Sequence, residues 1–463
     1  MSGSTSASFP PAKLERAFVL GLGLSGAAAA RLLRRRGVEV VASDRRPADD
    51  LGVEDLAHDP GVELRLGDGS AELPRGIDAV ITSPGVALDH PLLAAARAAR
   101  IPVAAEVELA FHELEGTVIA ITGSNGKSTT TAMTGAFVAG AGRAVEVCGN
   151  IGRPLAAVVD GPPGRTFVVE LSSFQLETIH AFRPQAAALL NISPDHLDRH
   201  GDLAGYLAAK RRIFMNQTPE DRAILNADEP DVVATATAAE RRLFSFAGEV
   251  SRGCVRRGGS VVEVAGEGDG GGELFRLADL PLPGPHNVEN AMAAALLARA
   301  TGVPATAIAP ALRAFRGLPH RVERVAEIAG VTYYDDSKGT NVAATARSLE
   351  GFADASVHLV LGGRNKGADF GFLADVVARK ARHLYFIGES ASLLEKALGT
   401  TAPFSRSGTL DAAVAEAAGN AKSGEVVLLS PACASFDQFR DYIDRGERFA
   451  ASVRALGAPA GIA

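Results

Sequence analysis

The sequence is poor in cysteine and has no long apolar run. Only three cysteines, Cys148, Cys254 and Cys433, occur among 463 residues. Because their number is odd and they are widely scattered, they favour a reducing compartment over a disulfide framework or a clustered zinc site. No run reaches the roughly 18 apolar residues that a membrane-spanning helix needs. We therefore expect a cytoplasmic protein that has no membrane partner.

The chain also lacks a strong charge of either sign. Its formal net charge is -7, with 22% charged and 47% hydrophobic residues. This composition is ordinary for a folded globular protein and provides no basic surface for nucleic acid. Nucleic acid is therefore not an expected partner, and any anionic ligand must be bound by local positive groups.

The length and the order of elements predict three α/β domains. A typical domain has about 100–200 residues, so a chain of this length suggests about three. Short β-rich runs alternate with Ala-rich helical segments in three successive series, which is typical of βαβ units and parallel sheets. We predict a Rossmann-like N-terminal domain at 13–112, a phosphate-loop central domain at 113–319 and a Rossmann-like C-terminal domain at 320–463.

The sequence also predicts the structure of four shorter segments. Residues 1–12 are rich in serine, end in a proline pair and are predicted to be a disordered tail. The apolar run 17–30 imitates a secretory leader, but its glycines punctuate a strand-to-helix turn, so we place it in the first domain. The Gly-rich stretch 248–272 is expected to carry hairpins or a surface excursion. The turn at 317–319 is a predicted hinge.

A phosphate-binding loop follows the strand predicted at 117–122. Its residues are Gly123, Ser124, Asn125, Gly126, Lys127, Ser128 and Thr129. Glycines allow backbone N–H groups to face phosphates, and the N-terminus of the next helix adds partial positive charge. Lys127 would neutralise the outer phosphates, and Ser128 would supply a magnesium ligand. Although Ile121 replaces the first glycine of the full motif, the context predicts ATP binding.

Two candidate side chains follow later strands of the same series. Glu170 ends one apolar strand, and His196 follows the strand that ends at Ile192. Because the carboxyl ends of parallel strands border the ligand crevice, Glu170 is a candidate magnesium ligand. Taken alone, His196 would more often be a structural histidine.

Four segments, in order, resemble the central domain of the Mur ligases. They are the phosphate loop, Gly149-Asn150-Ile151-Gly152, Glu170-Leu171-Ser172-Ser173-Phe174-Gln175-Leu176 and Asp195-His196-Leu197-Asp198-Arg199-His200. The resemblance implies two magnesium ions, one held by Ser128 and Glu170 and one that His196 helps to hold. It also implies that Lys210 is carbamylated, which would make it an anionic ligand suited to a hard cation. The sequence alone would make Lys210 a solvated helix residue.

The same resemblance implies further ATP contacts. Asn150 would lie near the transferred phosphate, and Asn287 near the adenine, although an asparagine there would also suit a helix N-cap. Arg321, Asp336 and Lys338 would complete the nucleotide site.

The first domain carries a dinucleotide-binding fingerprint. Gly21-Leu22-Gly23-Leu24-Ser25-Gly26 follows a strand, and Asp44 ends the next one. This pattern predicts NAD, but the same glycine geometry binds any diphosphate, including that of a UDP-sugar. The resemblance implies the UDP-sugar, bound by Ser25, Gly26, Asp44, Arg46, Ser83, Pro84 and Gly85. Arg46 could equally be a solvated surface charge.

The third domain resembles that of the D-glutamate-adding members of the family. The resemblance implies that the amino acid is bound by Thr340, Lys366, Ser435, Phe436 and Tyr442. The Asp-Asn-Pro-Arg segment of diaminopimelate- or lysine-adding relatives is absent. Cys433 is expected to be a small buried residue rather than a nucleophile.

The implied reaction is amide-bond formation in the synthesis of a peptidoglycan precursor. ATP would convert a carboxylate of UDP-N-acetylmuramoyl-L-alanine to an acyl phosphate, which the amine of D-glutamate would attack. The alternatives are another Mur ligase, a folylpolyglutamate synthase-like ligase and, from a different class, an NAD-dependent oxidoreductase or a nucleotide-sensing regulatory protein. We expect a monomer.

Overall fold

The computed structural model describes residues 9–67, 72–265 and 271–457. By its internal contacts the chain divides into two compact units. The first unit comprises Met1–Leu277 and Asn290–Leu312, and the second comprises Ala278–Glu289 and Arg313–Ala463. The domain boundaries predicted after residues 112 and 319, and the hinge at 317–319, stay predictions.

Strands and helices alternate along most of the described chain. The strands are β1 (Arg16–Leu20), β2 (Glu39–Asp44), β3 (Val62–Leu66), β4 (Ala79–Thr82), β5 (Val103–Ala105), β6 (Gly116–Thr122), β7 (Val145–Gly149), β8 (Arg165–Glu170), β9 (Ala186–Leu189), β10 (Arg222–Asn226), β11 (Glu240–Ser245), β12 (Gly253–Arg257), β13 (Ser260–Val264), β14 (Glu273–Arg276), β15 (Glu323–Ile328), β16 (Val331–Asp335), β17 (Val357–Gly362), β18 (Ala381–Ile387), β19 (Phe404–Gly408) and β20 (Val426–Leu429). The α-helices are α1 (Leu24–Arg35), α2 (Glu54–Ala57), α3 (Pro91–Ala98), α4 (Glu106–Phe111), α5 (Lys127–Gly140), α6 (Ser173–Leu176), α7 (Leu197–His200), α8 (Leu203–Arg211), α9 (Pro230–Val233), α10 (Pro285–Ala300), α11 (Ile308–Ala314), α12 (Val342–Glu350), α13 (Ala374–Lys380), α14 (Ala391–Leu398), α15 (Leu410–Asn420) and α16 (Tyr442–Gly457).

The strands form three largely parallel sheets, which confirms the predicted α/β class. The first sheet has the order β3-β2-β1-β4-β5 and is parallel throughout. The second has the order β14-β13-β12-β11-β10-β9-β6-β8-β7, in which the β12–β13 and β13–β14 pairs are antiparallel and the other pairs are parallel. The third has the order β15-β16-β20-β17-β18-β19, with β15 antiparallel to β16.

The order of the strands places a crevice at the end of β1 and another at the end of β6. In the first sheet the chain moves from β1 to one side and later returns to the other, so β1 lies between β2 and β4. In the second sheet β6 lies in the same way between β8 and β9. Ligands of open parallel sheets bind where the strand order reverses in this manner. The two glycine-rich loops of the sequence follow β1 and β6.

Three local expectations can be compared with the structure. The run 17–30 forms the end of β1 and most of α1, as expected for a part of the first domain. The stretch 248–272 contains the β12–β13 hairpin, while residues 266–270 lie outside the described residues. No helix in the described ranges is long and apolar enough to cross a membrane.

The predicted disordered tail is wrong at Phe9. Phe9 is only 4% exposed, and its ring centroid lies 5.8 Å from that of His112 and 6.3 Å from that of His180. Burial of an aromatic ring offsets the entropy lost when the chain is ordered. Residues 1–8 of the predicted tail lie outside the described residues.

Gly26 is a point of close packing between α1 and the loop after β1. A Cβ atom added there would lie 1.8 Å from the Gly21 carbonyl oxygen and 2.6 Å from the Ser83 Oγ. We therefore expect Gly26→Ala to destabilise the first sheet by about 1–3 kcal/mol or more. Thermal unfolding followed by circular dichroism should show a lower midpoint. Gly85→Ala is the control because nothing lies within 4 Å of its added Cβ; equal midpoints for the two variants would contradict this packing.

Candidate active site

The phosphate loop joins β6 to α5 and is held by the side chain of Asn191. Asn125 donates its backbone N–H to the Asn191 Oδ1 at 2.9 Å, and the Asn191 amide donates back to the Asn125 carbonyl at 3.1 Å. Gly126 has a φ of 80°, a region that favours glycine. A Cβ atom there would lie 2.2 Å from the Asn290 Oδ1. No motif in the sequence indicated the supporting function of Asn191.

Two lysine amines meet at the Gly123 carbonyl. The Lys127 Nζ donates to the carbonyls of Gly123 and Ser124 at 2.8 and 2.9 Å, and the Lys210 Nζ donates to Gly123 at 2.8 Å. Lys210 is 1% exposed, and its Nζ lies 4.4 Å from the centroid of the Tyr206 ring. The interpretation of Lys210 as a solvated residue is therefore wrong.

Burial changes the chemistry of the Lys210 amine. Loss of solvation, reinforced by the positive charge of Lys127, lowers the pKa of Lys210 to about 6. A charged amine is disfavoured in a poorly solvated site unless a carboxylate is close by. The neutral amine, which is the form that can react with carbon dioxide, therefore predominates at neutral pH.

Glu170 supplies a buried carboxylate with one oxygen that has no partner. Its Oε1 accepts a hydrogen bond from the Asn150 amide at 2.7 Å. Its Oε2 is buried and has no hydrogen-bond partner among the described residues. Leaving such an atom unsatisfied costs free energy, and carboxylate oxygens are ligands that hard cations prefer. Ser128, in the first turn of α5, is 4% exposed. Its hydroxyl oxygen can also bind a hard cation. These residues fit a magnesium ion.

His196 belongs to a cluster of rings near Lys210. It precedes α7 with a left-handed φ of 52°, and its side chain is 48% exposed. Its ring centroid lies 4.8 Å from that of Phe174 and 6.2 Å from that of Tyr206. The ring of Tyr206 is also the one that contacts Lys210, so the structure brings His196 and Lys210 to the same cluster.

A cavity of about 1260 Å³ lies at the carboxyl ends of β1, β2, β4 and β7. Most of the residues predicted to bind the UDP-sugar line it, namely Ser25, Asp44, Arg46, Ser83, Pro84 and Gly85. Its other wall is the loop after β7, with Gly149, Asn150, Gly152 and Pro154. Gly26 does not line the cavity. Because Asn150 lines the cavity and donates a hydrogen bond to Glu170, it links the cavity to the candidate magnesium ligand.

Asp44 and Arg46 form an ion pair at the edge of this cavity. The Asp44 Oδ2 accepts from the Leu22 backbone N–H at 2.7 Å and from the Arg46 Nη2 at 3.0 Å. Burial acts to raise the pKa of Asp44, but the hydrogen bonds and charge of Arg46 outweigh it and hold that pKa at about 2. Arg46 is therefore attached to the glycine loop and is not an isolated surface charge.

In the second compact unit, candidate residues lie on the loops after β16 and β20. The buried Asp336 Oδ2 accepts from the hydroxyls of Ser348 and Ser430 at 2.6 and 2.7 Å. Burial outweighs these hydrogen bonds and raises the pKa of Asp336 to about 6, while the charge of Arg321 acts to lower it. The Lys338 Nζ lies 3.8 Å from the centroid of the Tyr442 ring.

Arg445, which the sequence did not single out, connects these two loops. It is 0% exposed. Its Nε and Nη2 donate to the Ser337 Oγ and carbonyl at 2.9 Å each, and its Nη1 donates to the Cys433 carbonyl at 3.2 Å. Burial lowers its pKa to about 10. No local pattern could have found this residue, because its partner Ser337 lies 108 positions away in the sequence.

Other predicted residues of the second unit differ in exposure. Ser435 is 2% and Phe436 is 59% exposed, while Lys366 lies on the surface and Thr340 is half-buried. Cys433 is buried, which raises its pKa to about 11 and confirms it as a poor nucleophile.

The alternative of Asn287 as a helix cap is wrong, because α10 begins two residues earlier and the Asn287 amide donates to the Pro283 carbonyl at 2.7 Å.

The candidate residues thus fall into two groups, one in each compact unit. The first unit brings together the phosphate loop, Asn150, Glu170, His196, Lys210 and the cavity. The second contains Asn287, Arg321, Asp336, Lys338, Thr340, Lys366, Ser435, Phe436 and Tyr442.

Sequence profiles of known families match all three parts of the chain. The "Mur ligase MurD-like, N-terminal domain" matches residues 15–105, the "Mur ligase middle domain" residues 121–298 and the "Mur ligase, glutamate ligase domain" residues 320–433. Two similar curated proteins are named UDP-N-acetylmuramoylalanine--D-glutamate ligase. That of Acidobacterium capsulatum is 45% identical over 94% of this chain and 95% of its own. That of Anaeromyxobacter dehalogenans is 45% identical over 95% of this chain and 97% of its own.

Two solved structures have a similar fold. A UDP-N-acetylmuramate-alanine ligase of Thermotoga maritima has a TM-score of 0.57 at 20% identity, covering 96% of this chain and 100% of that one. A pseudomurein peptide ligase type C of Methanothermus fervidus has a TM-score of 0.60 at 19% identity, with the same coverage. These structures support the fold, and the curated relatives extend the similarity to nearly the whole sequence. The chain belongs to the Mur ligase family.

Proposed function

We propose that this protein ligates D-glutamate to UDP-N-acetylmuramoyl-L-alanine at the expense of ATP, as a cytoplasmic, monomeric enzyme of peptidoglycan precursor synthesis. The observation that carries the proposal is the Asn150–Glu170 hydrogen bond of 2.7 Å. This bond joins Asn150, which lines a cavity large enough for a nucleotide-sugar, to Glu170, the candidate magnesium ligand beside the phosphate loop. The names of the relatives indicate the two substrates.

Asp44 is an argument against the NAD-dependent alternative. In an NAD site, an acidic residue at the end of the second strand binds the ribose hydroxyls. Here both Asp44 oxygens already accept hydrogen bonds, from Leu22 and from Arg46. A neighbouring arginine fits an anionic group of a nucleotide-sugar better than a free ribose.

In the proposed mechanism, the chain's own residues bind and orient three anionic groups, which are the polyphosphate of ATP, the diphosphate of the UDP-sugar and the carboxylate of the UDP-sugar. The N–H groups of the phosphate loop and Lys127 bind the polyphosphate of ATP, while the cavity holds the UDP-sugar with its carboxylate towards Asn150. When bound by Ser128, Glu170, His196 and carbamylated Lys210, two magnesium ions would offset the charge that gathers at the transferred phosphate. The carboxylate attacks the terminal phosphate, ADP leaves, and the amine of D-glutamate displaces phosphate from the acyl phosphate.

The second unit supplies the proposed amino-acid site. Lys366, Thr340 and Ser435 would bind the carboxylates of D-glutamate, with Phe436 and Tyr442 lining the pocket. Arg321, Asp336 and Lys338 would contact ATP, together with Asn287. The ring of Tyr442 already orients the Lys338 amine.

Phosphate release tests the proposed substrates directly. With ATP, magnesium and UDP-N-acetylmuramoyl-L-alanine, we expect release to depend on D-glutamate and to be at least about tenfold slower with L-glutamate. Reactions without the UDP-sugar are the control for background ATP hydrolysis. Equal release with D-glutamate, L-glutamate and other amino acids would contradict the proposal.

Glu170→Gln tests the magnesium site. Replacing a carboxylate ligand by an amide should lower the turnover rate by about 100-fold or more and raise the magnesium concentration needed for half-maximal rate. The thermal unfolding midpoint should not fall, because the Oε2 of Glu170 has no partner to lose. Glu39→Gln, at the exposed start of β2, is the matched control. Full activity of Glu170→Gln at low magnesium would exclude Glu170 as a ligand.

Lys210→Ala tests carbamylation. If Lys210 acts as a carbamate, its loss should nearly abolish activity, and short carboxylates such as formate or acetate should restore part of it by occupying the same position. Lys127→Ala is the control, because its amine acts as a cation and no carboxylate can replace it. Unchanged activity of Lys210→Ala, or equal rescue of both variants, would count against carbamylation.

A further inference from the structure

Arg199 lies in α7, three residues after His196, and its guanidinium is held on two sides. Its side chain is 15% exposed, and that of its partner Glu177 is 7% exposed. The Nε and Nη2 atoms donate to the two Glu177 oxygens at 3.2 and 2.5 Å. The guanidinium carbon lies 4.2 Å from the centroid of the Phe174 ring. The carboxylate of Glu177 and the face of the Phe174 ring together fix the plane of the guanidinium.

The remaining side of the guanidinium binds a residue that lines the cavity. The Arg199 Nη1 donates to the Pro84 carbonyl at 2.9 Å. Pro84 stands between Ser83 and Gly85, and all three residues line the cavity. The Ser83 Oγ donates in turn to the Gly21 carbonyl at 2.7 Å. This cavity loop is therefore attached to the glycine loop at one point and to Arg199 at the next residue.

The same side chain also supports His196. The Phe174 ring beneath the guanidinium lies 4.8 Å from the His196 ring. The Arg199 backbone N–H donates to the His196 carbonyl at 3.1 Å. Since His196 has a left-handed φ that a residue other than glycine adopts only at a cost in free energy, its position depends on such neighbours.

We infer that Arg199 is a positioning residue that fixes the cavity loop at Pro84 relative to His196. The inference rests on the proposed function, in which the cavity holds the UDP-sugar and His196 helps to hold magnesium. Arg199 contacts no reacting atom and acts through the Pro84 carbonyl and the Phe174 ring. Contact with both Glu177 and the Pro84 carbonyl requires a planar group that has N–H donors on two edges. Lysine keeps the charge but cannot bind both Glu177 oxygens and Pro84 at once.

Arg199→Lys is the test variant. We expect the dissociation constant of UDP, measured by calorimetry, and the KM for UDP-N-acetylmuramoyl-L-alanine each to rise about tenfold. The KM for ATP should rise by a smaller factor than the KM for the UDP-sugar, because no hydrogen bond joins Arg199 to the phosphate loop and only the support of His196 links Arg199 to the ATP site. Arg183→Lys is the matched control, since Arg183 pairs with the buried carboxylate of Asp221 at 2.7 Å but does not line the cavity. It should leave all three constants unchanged.

A second variant keeps the test decisive if Arg199→Lys does not fold. Glu177→Gln retains an acceptor for the guanidinium while removing its charge, and should raise the dissociation constant of UDP by about threefold. A parent protein that binds no UDP would contradict the proposed function itself. A parent that binds UDP, together with folded variants that bind it equally tightly, would overturn only the inference for Arg199. Equal increases in the KM for ATP and the UDP-sugar would also overturn it, because they would indicate a general structural defect.

Discussion

A buried carboxylate with one unsatisfied oxygen is the constraint on which the first compact unit depends. Glu170 ends β8 beside the phosphate loop, and a charge at this depth is stable only if both of its oxygens have partners. Asn150 satisfies one oxygen, and a cation is the natural partner of the other. Because Asn150 also lines the neighbouring cavity, the need to satisfy Glu170 joins the sugar site to the phosphate site.

Burial also determines the protonation of the Lys210 amine. This amine is paired with a backbone carbonyl and an aromatic ring. Among the described residues no carboxylate forms a salt bridge with it, so loss of solvation is not offset in that way. The amine is therefore neutral near physiological pH and chemically reactive. Lys127 differs because it lies at the start of α5, where its charge can be directed to an anionic ligand. Two lysines that share the Gly123 carbonyl thus have different chemistry.

The fold and the short motifs could be predicted because their signals are local. The phosphate loop lies between an apolar strand and a helix that are adjacent in sequence, so its context can be recognised directly. Edge strand β19 was not predicted, because its side chains are exposed or half-buried throughout and its periodicity is weak. The Lys210–Gly123, Arg199–Pro84 and Arg445–Ser337 contacts join residues about 90 to 115 positions apart, a separation that no window of sequence contains.

Arg445 has a consequence for the mobility of the second unit. One guanidinium donates to the loop after β16 and to the loop after β20, and it has no exposed surface that water could reach without moving both. A fluctuation that frees either loop must therefore expose the same buried cation. We therefore expect local unfolding of the two segments to be coupled, so that their backbone amides share one opening free energy in hydrogen exchange.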